Sequence, residues 1–162
     1  MKNFVSVGDI GCYGLGGPAP LNGFDCSFAM GSAFPFLIGL SRALKAQGDS
    51  RKAIGQVGDS TFFHSGFVGL TDIIASESDC VAVILDNSIT AMTGHQENPG
   101  TTKNLMGYET PAIDVVGRVK AAGIDDAHLR VVDPVAQEAM LAAFDDAYNT
   151  VGPFVIITKR PC

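Results

Sequence analysis

Asp59 and Asn87 are the residues whose types and placement best suit chemistry. Each sits in a polar turn that closes an apolar run: Gly58-Asp59-Ser60-Thr61 follows residues 53–57, and Asp86-Asn87-Ser88-Ile89-Thr90 follows residues 81–85. Length and β-branched content predict both runs as fully buried parallel strands. Asp59 and Asn87 then stand just past two strand carboxyl ends. In an open α/β sheet that edge is where ligands bind, because loops converge there and the following helices aim their N-termini into the crevice. A carboxylate, a side-chain amide and a free loop carbonyl are hard oxygen donors suited to Mg²⁺ or Ca²⁺, and a helix start beside them suits a phosphate. Together they describe a metal and diphosphate site. The same residues also read as plain turns, since Gly-Asp-Ser is a common N-cap and Asp-Asn tolerates left-handed backbone.

The pair resembles the motif of thiamine diphosphate enzymes, in which Gly-Asp-Gly is followed after some two dozen residues by a closing Asn; here Asn87 lies 28 residues after Asp59, and Ser60 stands in place of the third glycine. The run Asn87 to Gln96 is similar to the Asn-x-x-Tyr-Gly-Met-Thr-Gly-Gly-Gln of the 2-oxoacid:ferredoxin oxidoreductases, departing at Thr90, Ala91 and His95. Met30-Gly31-Ser32-Ala33-Phe34-Pro35 resembles the Met-Gly-x-Ala-x-Pro helix start of thiamine enzymes. Within the superfamily, Gly8-Asp9-Ile10-Gly11-Cys12-Tyr13 and residues 58–66 and 90–96 are most like the diphosphate-binding domain of the indolepyruvate:ferredoxin oxidoreductase α-subunit family.

That resemblance implies roles. Asp59, Asn87 and the Ile89 carbonyl would hold Mg²⁺, and Gly58, Ser60 and Thr61 would hold the diphosphate. Gly11, Cys12, Met30, Gly31, Thr93 and Gly94 would line the thiamine diphosphate, with Met30 and Gly31 against its aminopyrimidine ring. His95 and Gln96 would face the substrate as catalytic residues, His95 being able to move a proton near neutral pH. From the residues alone, Met30 also reads as a core methionine, Cys12 as a core cysteine, and the 93–96 stretch as a loop cap. His64 reads as a cap or core-edge residue or as facing the cofactor. Phe62, Phe63 and Phe67 read as core or as the edge of an aromatic substrate pocket.

The implied reaction is oxidative decarboxylation of a 2-oxoacid to its acyl-coenzyme A, with electrons leaving to a ferredoxin-type acceptor through iron–sulfur clusters on a partner or another domain. A pyrimidine-binding domain or subunit would supply the glutamate that activates the cofactor. No stretch here resembles it, so the chain is expected to be a stand-alone subunit or an excised domain, silent alone. Two other readings stay open: half of a non-oxidative thiamine-dependent decarboxylase or carboligase, and a non-catalytic binding module of the same fold.

The elements that position these residues follow from pattern and punctuation. The 162 residues, 46% hydrophobic and 17% charged, predict one domain over 1–162 with a tail at 159–162, burying about 70% of its unfolded surface. Low charge suggests a partner interface and an oligomer, homo- or hetero-. Eleven basic residues against 17 acidic ones, with no basic run, argue against nucleic acid. No apolar stretch reaches the ~18 residues a membrane span needs. Met1-Lys2-Asn3 leads straight into a strand without a signal peptide, which predicts a cytoplasmic protein. Cys12, Cys26, Cys80 and Cys162 are far apart and predicted as free thiols.

Strands are predicted at 4–7, 53–57, 81–85, 128–132 and 154–158. Helices are predicted at 30–47, from the Asp59 turn to about 76, from Thr110-Pro111 to 122, and from Asp133-Pro134 to 149 with Val135, Ala139, Ala142, Ala143 and Ala147 on its apolar stripe. Residues 14–23 read as a loop, and 90–111 as a long connection of functional length. The alternation predicts an α/β fold, a doubly wound, mostly parallel sheet of five or six strands with helices on both faces. By resemblance it is the thiamine diphosphate-binding fold.

Overall fold

Alternate residues of the middle strands are apolar on both faces, and in the computed structural model they divide between two cores. The structure describes residues 3–162, so the reading of Met1 and Lys2 lies outside the described residues. Six parallel strands form one sheet in the order β2-β1-β3-β4-β6-β5: β1 (Phe4–Gly8), β2 (Cys26–Ser27), β3 (Lys52–Gly58), β4 (Cys80–Asp86), β5 (Leu129–Val132) and β6 (Phe154–Lys159). Ala82 and Ile84 of β4, with Val155 and Ile157 of β6, pack under α1 (Ala33–Ala46), α3 (Phe67–Ala75) and α4 (Val115–Ala121). Val81, Val83, Phe154 and Ile156 face the other way, onto α5 (Gln137–Asn149). This is the α/β parallel sheet with helices on both faces that the alternation predicts, with one face more fully clothed than the other.

The winding puts a crevice where the chemistry was expected. From β1 the chain goes outward to β2, then returns through α1 to the far side of β1 as β3, so its direction reverses between β1 and β3. Loops leaving the two strands at such a switch point diverge and leave a cleft at their carboxyl ends. Asp9 follows β1 and Asp59 follows β3. Because Gly58 pairs with Leu85 in register, Asp59 and the Asp86-Asn87 turn lie side by side.

Several boundaries differ from the sequence reading. The two-residue β2 was not expected; it is too short to carry a periodic signal. The Asp59 turn is not a separate turn before a helix. Residues 59–75 are helical throughout, as the one-turn α2 (Asp59–Thr61), a π-helical stretch Phe62–Gly66, and α3. His64 therefore sits on the helical run and is exposed. Helix α4 starts at Val115 rather than at Thr110-Pro111, because the Asp114 carboxylate accepts from the N–H groups of Val116 (3.3 Å) and Gly117 (2.8 Å) and is the stronger cap. Ile113 is outside the helix and exposed.

Likewise α5 starts at Gln137, after a turn in which Asp133 accepts from the Val135 and Ala136 N–H groups. Val135, Ala139 and Ala142 face solvent, and the stripe that packs is Ala143 and Ala147 with Phe144 beside them. His128 closes a 3-10 turn instead of opening β5. The 90–111 connection is a folded loop, with a 3-10 turn Ala91–Thr93 and antiparallel bridges Thr90 to Gln96 and Lys103 to Glu109.

Candidate functional site

Three oxygen donors converge at the carboxyl ends of β3 and β4. Asp59, first residue of the helical run, is buried. The Asn87 side-chain amide points at Asp59 Oδ1 (3.3 Å) and at the Ile89 carbonyl oxygen (2.8 Å). With its NH₂ end inward the amide donates to both. With its oxygen end inward, carboxylate, amide and carbonyl oxygens meet, and a cation between them reconciles the three. Among the described residues no group of three His, Cys, Asp or Glu side chains is gathered for a metal. The Asp59 cluster is instead one carboxylate with neutral oxygens, a hard donor set of the kind Mg²⁺ takes. The residues present fit such an ion.

Asp59 is held above the usual carboxylate range, chiefly by burial, with the nearby Asp86 charge adding; hydrogen bonds from Asn98, Ser60 and the Ile89 backbone oppose the rise. Desolvation disfavours the charged form, and a cation in the site reverses that preference. The Ser60 N–H donates to Asp59 Oδ1 at 2.7 Å, and Gly58 offers no side-chain cap to the helix start. Asp86, also buried, accepts from the Ser88 N–H (3.1 Å) and hydroxyl (3.2 Å), and its Oδ2 lies 3.7 Å from Lys159 Nζ.

On the neighbouring side, Asp9 has a part that sequence reasoning missed. Buried at 1% exposure, its carboxylate accepts from the N–H groups of Gly31 (2.8 Å), Ala33 (3.1 Å) and Ile10 (2.7 Å). Ser32, the residue at the N-cap of α1, turns its hydroxyl back to the Ala29 carbonyl and does not cap the helix. Asp9 caps it instead from another element, 22 to 24 residues away.

Gly31 adopts a positive φ of 82°, and a Cβ there would come within 2.1 Å of Ser65 Oγ. Ser65, of the π-helical stretch, thus fills the space beside Gly31. A Cβ on Gly11 would come within 2.3 Å of the Tyr13 ring, so Gly11 is needed for that ring to pack. Burial first, and the Asp9 charge second, hold the Tyr13 hydroxyl above its usual range, and it donates to the Ile10 carbonyl.

The remaining candidates lie on loops. Met30 is 52% exposed, so the core reading fails for it, and Cys12 is exposed too. Thr93, Gly94, His95 and Gln96 form a tight exposed turn with positive φ at Gly94 and His95. Gln96 directs its side chain back to Thr93 rather than to Asp59. Thr61 is buried behind Asp59. Phe62 is fully buried, and Phe63 and Phe67 pack on the core beneath the Arg118 guanidinium, which lies 4.2 Å from the Phe67 ring centre. Phe62 is a core residue, and Phe63 and Phe67 are partly buried against the core.

The thiols separate clearly. Burial pushes Cys80 up to about 12, with the Asp79 charge adding and Lys52 opposing, whereas Cys12 and Cys162 are exposed. Native protein at pH 8 is expected to lose the Cys12 and Cys162 thiols rapidly to an alkylating reagent and to keep Cys80 until unfolded, since the thiolate is the reacting form. If Cys12 lines a cofactor cleft, Mg²⁺ with thiamine diphosphate slows its alkylation. Alkylation of Cys12 at the same rate with and without the cofactor argues against that placement.

Residues 9–158 match the family model of the thiamine pyrophosphate enzyme C-terminal TPP-binding domain. Indolepyruvate oxidoreductase subunit IorA of Archaeoglobus fulgidus is 38% identical over 154 residues, covering 95% of this chain and 24% of that protein. The same subunit from Thermococcus kodakarensis is 38% identical over 165 residues, covering 95% and 25%. The chain thus spans about a quarter of the length of these relatives. Among solved structures, a 2-oxoglutarate:ferredoxin oxidoreductase from Magnetococcus marinus, with 2-oxoglutarate, coenzyme A and succinyl-CoA bound, superposes with a TM-score of 0.77 at 15% identity, over 99% of this chain and 55% of that one. Benzoylformate decarboxylase from Polynucleobacter necessarius superposes with a TM-score of 0.67 at 19% identity, over 99% and 30%. At these identities the two structures establish the fold.

Proposed function

From the premise that this chain belongs to the thiamine pyrophosphate enzyme family, as a C-terminal TPP-binding domain, we propose that it is the thiamine diphosphate and Mg²⁺ module of an indolepyruvate-like 2-oxoacid:ferredoxin oxidoreductase. The observation that carries the proposal is the meeting of Asp59 Oδ1, the Asn87 amide and the Ile89 carbonyl at one point. These three would hold Mg²⁺, with diphosphate oxygens and water completing its shell. Backbone N–H groups at Ser60 and Thr61, at the start of a helical run, would hold the diphosphate, with Gly58 allowing close approach. When bound, the cofactor supplies the electron sink for decarboxylation of a 2-oxoacid.

The other residues bind and orient. Asp9 fixes the turn that presents Met30 and Gly31, and Gly11, Cys12, Thr93 and Gly94 would line the cofactor with them. On this reading His95 and Gln96, in the exposed 93–96 turn, would meet the substrate carboxylate, and His95 would hold or move a proton at a ring nitrogen. The choice of substrate follows the relatives, which are indolepyruvate oxidoreductase subunits, and that of coenzyme A follows the Magnetococcus marinus enzyme, which holds it bound. A pyrimidine-binding domain or subunit completes the cleft, and iron–sulfur centres of a partner carry electrons to a ferredoxin-type acceptor. Assembly is therefore oligomeric, in the cytoplasm. Among the described residues, no helix is long and apolar enough to cross a membrane.

The test combines the chain with a partner subunit carrying a pyrimidine-binding domain, in Mg²⁺, thiamine diphosphate and coenzyme A, and follows viologen dye reduction driven by indolepyruvate. Reduction that needs every component, and that falls roughly a hundredfold or more in His95→Ala as a general acid–base residue should, is the expected result. Release of CO₂ with no dye reduction would favour a non-oxidative decarboxylase.

A further inference from the structure

The long connection between β4 and α4 returns to the Asp59 carboxylate at one residue. Asn98 Nδ2 donates to Asp59 Oδ2 at 3.2 Å, while Oδ1 takes the Ser60 N–H and faces Asn87 and Ile89. The two carboxylate oxygens are thus divided, one turned to the donor cluster and the other tied to the loop.

The turn presenting Asn98 is built without that contact. Asn98 Oδ1 accepts from the Gly100 N–H at 2.8 Å, and the buried Thr101 hydroxyl donates to the Asn98 carbonyl (2.7 Å) and accepts from the Asn98 N–H (3.2 Å). Gly100 has no room for a side chain, because a Cβ would come within 2.8 Å of the Phe63 ring, and the Pro99 carbonyl is held by the Ile113 N–H at 2.8 Å. The oxygen of Asn98 closes its own turn, and its nitrogen is left to Asp59.

Resting on the proposed function, we propose that Asn98 is a positioning residue for the cation: by holding Asp59 Oδ2 it presents the carboxylate through one oxygen only and so favours Mg²⁺ over Ca²⁺. Mg²⁺ demands a near-octahedral shell of single oxygens, whereas Ca²⁺ accepts more ligands and two-oxygen carboxylates. A carboxylate pinned through its second oxygen is suited to the first ion and not to the second. Groups that orient a metal ligand in this way matter nearly as much as the ligand.

The test titrates thiamine diphosphate into the full 162-residue chain by calorimetry, in Mg²⁺ and separately in Ca²⁺, for three variants. Asn98→Asp keeps the acceptor for the Gly100 N–H and loses the donor to Asp59. Asn98→Ala loses both, and Thr101→Val removes only the hydroxyl bonds to the Asn98 backbone, while the Asn98 Oδ1 bond to the Gly100 N–H still holds the amide toward Asp59. Affinity supported by Mg²⁺ is expected to fall roughly 10- to 100-fold in both Asn98 variants, with a smaller loss in Ca²⁺, so the ratio of the two drops by about tenfold. The charge added in Asn98→Asp attracts both divalent ions alike and leaves the ratio as the readout. Thr101→Val keeps the wild-type ratio, whatever happens to its melting temperature. An unchanged ratio in the Asn98 variants, or an equal fall in Thr101→Val, overturns the proposal while the cofactor site stands. No cation-dependent binding by the wild-type chain even with a pyrimidine-binding partner present overturns the proposed function and this inference with it.

Discussion

Asp59→Asn is expected to abolish Mg²⁺-dependent thiamine diphosphate binding while leaving the cation-free domain folded and more stable than wild type. The carboxylate is buried, and burial together with the Asp86 charge favours its protonated form. A carboxyl raised in the folded state costs nothing while it is protonated in both states, below the ordinary Asp range near pH 4. Its cost sets in as pH rises through that range and is fully present above the folded value. Asparagine removes this cost and keeps an oxygen for the Ser60 N–H, but its NH₂ replaces the oxygen that accepts from Asn98 Nδ2, which offsets part of the gain.

The melting temperature of Asp59→Asn without Mg²⁺ should therefore exceed that of wild type at pH 7, with the gap closing toward pH 3.5. With Mg²⁺ and cofactor the order reverses. Wild type gains about 2.7 kcal/mol at a ligand concentration a hundredfold above its Kd, and the variant gains nothing. Loss of the one anionic donor leaves the ion without its counter-charge, an effect on the order of 3 kcal/mol or a hundredfold in affinity. A variant that binds as wild type does would remove Asp59 from the site.

Asp9→Ala should cost about 2–5 kcal/mol of folding stability, because it strands the N–H groups of Gly31 and Ala33, which the buried carboxylate now accepts, at 1–3 kcal/mol for each buried donor. No local substitute exists, since the Ser32 hydroxyl is committed to Ala29. Asp9→Asn, which keeps one acceptor oxygen, should lose about half as much. Urea unfolding measures both, and an unchanged slope with a lower midpoint marks a loss of stability rather than of compactness. A change under 0.5 kcal/mol in Asp9→Ala, the scale of ordinary surface substitutions, would show that the α1 start finds its cap elsewhere.

Comparison of these two residues explains what was legible in the sequence. Asp59 and Asn87 could be paired because each follows a continuous apolar run, and neighbouring runs in a parallel sheet end side by side; the Ile89 carbonyl was implied by the resemblance. Asp9 follows a strand equally plainly, but its partners are amides 22 and 24 residues on, and backbone donors carry no signature in the sequence. Asn98 lies in a connection without periodicity, so its return to Asp59 had no local signal; the Asn98-Pro99-Gly100 turn residues mark a bend but not its target.

The helix starts at Thr110 and Asp133 failed for a related reason. Proline near a capping residue is a fair start signal, yet Asp114 offers a carboxylate to two N–H groups and wins, while Asp133 spends its own on a preceding turn. The start of α1 at Ala33, three residues beyond Met30, has a different cause: its cap is Asp9, from another element, and not a neighbouring residue.

Calorimetric titration of the purified chain with thiamine diphosphate, with and without Mg²⁺ and beside Asp59→Asn, tests the central claim most directly. Binding that requires Mg²⁺ in the wild-type chain and vanishes in the variant is the predicted result. Binding that ignores Mg²⁺, survives in Asp59→Asn, or is absent from the wild-type chain even with a pyrimidine-binding partner present would contradict it.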